Sequence, residues 1–301
     1  MNKKFILGGG ISSLIWKFYN SDFTIISPEV GGEFLKGIQS VSWIHDTEET
    51  RKLLTDLGLF IDPYEVKIGY YYNGFVHNDC PEKYKQLIAQ KKMTTLDSDE
   101  QFPSEKLPSS VLSTESNVLK TLHVDFNTVF DLLKKNIDCV IDKVVKIDDV
   151  HFLTEKNQKY EYQTLISTIP APFFWDLYNH PRTFEYLPVT FVETWDKPLI
   201  YNDDYQMIYF AEDYTFTRIA KKEPALYSYE FTGKIDNIKQ YLPNVRIQKL
   251  TTRGIGRLIS QTNLPPNNKI TFLGRLATWE YSSKIQDVIK KSLNYASQPS
   301  N

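Results

Sequence analysis

The chain has 301 residues, with 35 Lys and Arg against 37 Asp and Glu, a formal net charge of -2, and two cysteines. That length predicts one large or two interleaved domains, with a core that closes without disulfides or structural metal. A hydrophobic fraction of 41% with 24% charged residues excludes wholesale disorder, and the near-neutral charge removes any global electrostatic case for nucleic-acid binding while leaving a local basic patch open.

Lys4 to Leu7 is a short apolar run that Gly8-Gly9-Gly10 stops. Ile11 to Tyr19 resumes with helical spacing, and Phe23 to Ile26 is a second apolar run. The order strand, glycine turn, helix, strand predicts a βαβ unit. Lys3-Lys4 and the apolar residues after it imitate a signal peptide, but three glycines interrupt the run and no small-x-small cleavage site follows. The spacing Gly8-x-Gly10-x-x-Ser13 is the dinucleotide fingerprint with serine in the third glycine's place. Gly8 makes the tight turn and Gly10 admits a pyrophosphate against the backbone. Ile11 and Ser12 then offer helix N-terminal N–H donors. Nineteen residues after Gly8, where an acid usually holds the ribose, stands Ser27, a weaker hydrogen-bonding partner than a carboxylate. Gly31 and Gly32 follow the second strand and permit another close backbone approach.

Asp46 to Gly58 reads as a helix with Asp46 as N-cap and Gly58 as its stop. Val66 to Tyr72, Asn73-Gly74 and Phe75 to His77 read as an aromatic hairpin with a type I′ turn, its tyrosines serving mainly cross-strand packing. Asp97 to Ser116 is rich in Ser, Pro and acids and is expected to be a loop. Asn127 to Lys135 is a short amphipathic helix. Cys139 to Ile147, His151 to Thr154 and Leu165 to Ile169 read as strands, the last running into Pro170. Leu187 to Leu199 and Gln206 to Phe210 look like strands of a further sheet, and Arg218 lies among β-formers. Arg253-Gly254-Ile255-Gly256-Arg257 reads as a solvated turn, with a phosphate contact as the alternative. Lys269 to Leu273 is a buried-type strand followed by Gly274-Arg275, an aromatic run, and a terminal helix from about Gln286.

The sequence GGGISSL, the second strand, Val30-Gly31-Gly32 and the closing Gly274-Arg275 segment together resemble the flavoprotein superfamily that contains amine oxidases and UDP-galactopyranose mutases. The resemblance is strongest at the two ends and in the return segment, and weak between Tyr64 and Ser116. It implies an α/β fold: a Rossmann-like FAD-binding domain built from discontinuous segments, 1–45, 121–172 and 266–301. A mixed α+β substrate domain is inserted as 46–120 and as a sheet over 173–265. FAD is then the cofactor, with Val144 near the adenine, Thr168 in a Thr-x-Pro-like turn, and Gly274, Arg275, Asp287 and Val288 near the flavin. His45 and Arg218 are the candidate active-site residues, the alternatives being a helix-cap neighbour and a structural ion pair.

The activity so implied is hydride transfer from a small substrate, often amine-bearing, to flavin N5. The alternatives are a redox-neutral isomerase acting on a nucleotide sugar and a non-catalytic flavin-fold binding protein. His45, His77, His123, His151 and His180 form no metal-binding pattern. Cys80 and Cys139 stand apart, as reduced thiols of a cytoplasmic protein would, and no apolar run approaches the roughly 20 residues that span a bilayer. The sequence carries no signal for oligomeric state.

Overall fold

The computed structural model describes residues 3–32, 41–94, 118–135, 137–259, 263–280 and 282–297. The Asp97–Ser116 loop lies outside the described residues, as do Phe34 and Tyr281 of the glycine-rich and aromatic segments. No helix among the described residues is long and apolar enough to cross a membrane.

The chain opens with β1 (Lys4–Leu7), α1 (Ile11–Tyr19) and β2 (Thr24–Ser27). β3 (Trp43–His45), α2 (Glu48–Asp56), β4 (Pro63–Tyr72), β5 (Phe75–His77) and α3 (Glu82–Lys92) follow. β6 (Val118–His123), α4 (Phe126–Lys134), β7 (Cys139–Ile141), β8 (Val144–Ile147), β9 (His151–Thr154), β10 (Lys159–Glu161) and β11 (Thr164–Ser167) come next. Beyond α5 (Ala171–Leu177) run β12 (Tyr186–Thr194), β13 (Met207–Phe210), β14 (Arg218–Glu223), β15 (Leu226–Thr232) and β16 (Lys249–Leu258). β17 (Ile270–Phe272), the single turn α6 (Arg275–Thr278) and α7 (Ile285–Ala296) close the chain.

A parallel sheet in the order β17-β11-β1-β2-β7 draws its strands from three separated stretches, as the predicted discontinuous Rossmann-like domain requires. Its strands are apolar on both faces, the pattern of a sheet covered on both sides. Ile6, Ile25 and Ile166 face a layer formed by Leu14 and Ile15 of α1, Val129 and Phe130 of α4, and Val288 and Ile289 of α7. The alternate residues Phe5, Leu7, Ile26 and Leu165 face Phe152 of the β8-β9-β10 meander and Phe174 and Trp175 of α5. The period-two alternation of side chains along each strand thus decides which layer each residue joins.

Among the described residues, nine strands form a second, mixed sheet, ordered β16-β12-β15-β14-β13-β4-β6-β3 with β5 paired to β4. Its aromatic core includes Phe210, Phe216, Tyr229 and Phe231. β3, at the end of the stretch 1–45, pairs with β6 in this sheet. The β4–β5 hairpin has the predicted Asn73-Gly74 turn, both residues at positive φ (51° and 81°), as type I′ geometry needs.

Two local expectations are corrected. The N-cap of α2 is Thr47, which exchanges hydrogen bonds with Thr50, whereas Asp46 binds Arg51 in a two-pronged ion pair. The Arg253–Arg257 stretch is not a turn but part of β16, paired with β12. Gly256 is needed there because a Cβ would come within 2.5 Å of Val189 Cγ2, beside the irregularity between Leu187 and Val189.

Candidate active site

A cavity of about 1360 Å³ runs between the two sheets. Small-molecule pockets usually span roughly 300–1,000 Å³, so this one has room for a large ligand and a second, smaller one.

One wall is built by the glycine turn. Gly8 has φ +99°, and a Cβ on it would lie 2.6 Å from Thr168 Oγ1. Gly9 is tighter still: a Cβ would meet the Glu29 carbonyl at 2.1 Å. Gly10 is different. Its φ is -77°, open to any residue, and no described residue lies within 4 Å of where its Cβ would be. Neither backbone geometry nor packing against the described residues demands glycine there, and Gly10 lines the cavity.

Gly10 caps α1, whose first-turn N–H groups at Ile11 and Ser12 border the cavity without intrahelical partners, as at every helix start. Ser13, in the third-glycine position, is fully buried and bonds Thr168 Oγ1 at 2.7 Å. The Thr168 hydroxyl donates to the Leu7 carbonyl (2.9 Å), so Ser13 is the donor in that pair. This latch explains how serine replaces glycine at the helix–strand contact and gives Thr168 a packing duty at the rim.

Ser27 borders the cavity, but its hydroxyl donates to the Glu29 carbonyl at 2.6 Å. Its proton is therefore committed to the loop, which the Gly31 N–H to Gly9 carbonyl bond also pins (2.7 Å). Gly31, Gly32 and Val144 line the same wall, with Val144 buried and Val145 turned outward.

The opposite end of this wall comes from the C-terminal segment. Gly274 has φ +83°, and a Cβ would fall 2.4 Å from Ser12 Oγ. Arg275 lines the cavity and its Nε donates to the Ser283 carbonyl (3.1 Å). Ile285, Gln286 and Val288 bring the start of α7 to the cavity, its positive dipole end included. Asp287 is the exception among the predicted site residues. It is exposed and outside the cavity wall, and its carboxylate accepts the Lys284 N–H at 2.7 Å, capping the helix. His45 lines the cavity, and Lys284 Nζ donates to its Nε2 at 3.0 Å. An ammonium can only donate, so this contact requires Nε2 to accept.

The facing wall is the mixed sheet. One transverse row of paired residues crosses five strands: Tyr70, Tyr209, Arg218, Glu230 and Phe191. All five line the cavity. Tyr70 and Tyr209 stack with centroids 6.1 Å apart. Arg218 grips Glu230 through Nε (2.8 Å) and Nη2 (2.5 Å), and Arg257 Nη2 takes the other carboxylate oxygen. Both readings of Arg218 therefore hold geometrically: it borders the cavity and is ion-paired.

Glu230 is fully buried. Burial acts to raise its pKa, but Arg218, Arg257 and nearby Lys92 prevail and pull it down to about 2. Lys92 sits 4.4 Å from the Tyr209 ring centroid. It is delivered there by α3, whose Lys91 binds the carbonyls of Phe210 (2.9 Å) and Tyr214 (2.7 Å).

Glu230, Lys92, Tyr209 and Tyr70 were not singled out as site residues from the sequence. Glu230 had a signal, since it is the one charged residue in the strand LYSYEFT.

The parallel-sheet fold is the Rossmann-like one that the sequence resemblance implied, and solved structures share it, a flavin-dependent halogenase from Brevundimonas sp. BAL3 among them (10% identity, 98% of this chain, 71% of that chain, TM-score 0.54). The chain aligns over 98% of its length with a CLA-producing fatty acid isomerase from P. acnes (10% identity, 97% of that chain, TM-score 0.65). It aligns equally far with a reduced UDP-galactopyranose mutase (10% identity, 95% of that chain, TM-score 0.61) and an oxidoreductase from Methanosarcina mazei (10% identity, 100% of that chain, TM-score 0.62). No protein-family model matches the chain, and no curated protein matches its sequence.

Proposed function

We propose that the chain is an FAD-dependent oxidoreductase of the amine-oxidase-like kind, acting on a small molecule. The observation that carries this reading is Gly10, which neither its backbone angle nor packing against the described residues requires, opening the start of α1 onto a cavity with room for more than a small substrate. The residues present suit FAD. Gly10 and the N–H groups of Ile11 and Ser12 would hold the pyrophosphate. Ser27, with its proton committed to Glu29, retains only acceptor capacity for a ribose hydroxyl. Arg275, Lys284 and the α7 N-terminus would bring positive charge to the flavin end, where negative charge accumulates on reduction. Val41, Trp43, Phe173 and Leu177 supply apolar surface to the cavity wall. Bound FAD would supply the chemistry, accepting a hydride from a substrate C–H bond.

The test is anaerobic. FAD-loaded protein mixed with a panel of amines and amino acids should lose its visible flavin absorbance with the true substrate and recover it in air. Conversion of a nucleotide sugar only after prior chemical reduction would instead establish the redox-neutral isomerase. A loaded protein that responds to neither would establish the binding protein.

A further inference from the structure

One stretch of the cavity wall carries side chains that the fold alone does not favour. α5 has the sequence APFFWDL, and its aromatic residues divide sharply. Phe174 and Trp175 are buried in the core layer against the parallel sheet, whereas Phe173 is 56% exposed and lines the cavity. An uncovered phenyl ring forgoes the stabilisation that burial gives its two neighbours. Asp176 stands in the last turn of the same helix, the end at which the helix dipole disfavours a carboxylate. It is exposed and also lines the cavity, as does Leu177.

Positions 173, 176 and 177 are spaced i, i+3 and i+4, so one face of α5 presents a ring, an acid and an aliphatic side chain together. The helix packs against β8, whose Val144 belongs to the same core cluster as Phe174 and Trp175 and also lines the cavity. At the ribose position, Ser27 stands where an acid is usual, and its hydroxyl proton is committed to the Glu29 carbonyl. That leaves the adenylate half of a dinucleotide with a weaker ribose contact than a carboxylate would give.

We propose that the cavity face of α5 is a platform for an adenine base. The Phe173 ring stacks on the base, Leu177 adds apolar surface, and Asp176 accepts an N–H of the amino group. Stacking on an aromatic ring tolerates any base, so the acid supplies the choice. This deepens the flavoenzyme reading and rests on it for calling the base a part of FAD. The recognition itself belongs to α5 and does not pass through the flavin.

Calorimetric titration of the cofactor-stripped protein with ADP, UDP and purine riboside diphosphate tests this. ADP should bind at least ~10-fold more tightly than UDP, whose smaller ring stacks less. It should also bind more tightly than purine riboside diphosphate, which lacks only the amino group. Phe173→Ala should lose about 10-fold or more of the ADP affinity. Asp176→Ala should bind ADP and purine riboside diphosphate alike. Both side chains are exposed, so both variants should keep the parent's melting temperature. Equal affinity for ADP and UDP overturns the proposal, as does undiminished ADP binding in folded Phe173→Ala. A preference for ADP that survives Asp176→Ala overturns the role given to the acid. With flavins, Phe173→Ala should weaken FAD binding and leave FMN binding unchanged. A protein that never takes up FAD but binds ADP through Phe173 sinks the flavoenzyme reading alone. FAD held equally well by parent and Phe173→Ala sinks this proposal alone.

Discussion

Gly10→Asp should abolish FAD uptake while leaving the chain folded. The position has φ -77° and no heavy atom of a described residue within 4 Å of its Cβ site, so the described fold accommodates a side chain there. The same space is where a pyrophosphate would meet the backbone, and an aspartate would put negative charge against it at a helix start. Binding should weaken by roughly 100-fold or more, about 2.8 kcal/mol, with a smaller loss for Gly10→Ala. Purified variants compared by flavin absorbance per protein, and by circular dichroism for the fold, give the result. Undiminished uptake in Gly10→Asp would separate the glycine turn from cofactor binding.

Glu230→Gln should produce the largest stability loss of any single side-chain change at the site. The carboxylate is buried between two guanidiniums, and the substitution takes its negative charge away from both at low dielectric. Breaking a buried ion pair in this way costs roughly 3–5 kcal/mol, well above the 0–1 kcal/mol of an exposed pair. The pH dependence follows from the lowered pKa. Folded Glu230 titrates near 2 against an ordinary 4.5, so its contribution is complete above about pH 4.5 and is lost as pH falls toward 2. Denaturant unfolding of parent and variant should therefore differ most at neutral pH and converge through that acid window. A gap that persists unchanged to pH 2 would remove Glu230 ionisation as the cause.

The part of the cavity wall built from local sequence was legible. Strand, glycine turn and helix follow one another within the first thirty residues, and each carries its own periodicity or φ requirement. Ser13 was readable as a tolerated departure, though its bond to Thr168, 155 residues away, was not. The sheet wall was illegible for a physical reason. Tyr70, Tyr209, Arg218, Glu230 and Phe191 become neighbours only through strand pairing, which no local pattern encodes. Arg253 and Arg257 were masked by glycines that usually mark turns; Gly256 is instead a close approach to Val189 within a strand. Asp287 was misplaced because a helix start holds two faces, and which one meets the cavity depends on how α7 packs. Val288 reaches the cavity, while Asp287 turns to its own N-cap.

The account rests on one claim above the others, that this chain holds FAD in the cavity between its sheets. Titrating cofactor-stripped protein with FAD and following the flavin fluorescence tests it most directly. The account predicts a saturable change at one FAD per chain, with FMN, which lacks the adenylate half of the dinucleotide, binding more weakly. Folded protein that leaves FAD fluorescence unchanged at every concentration would contradict it.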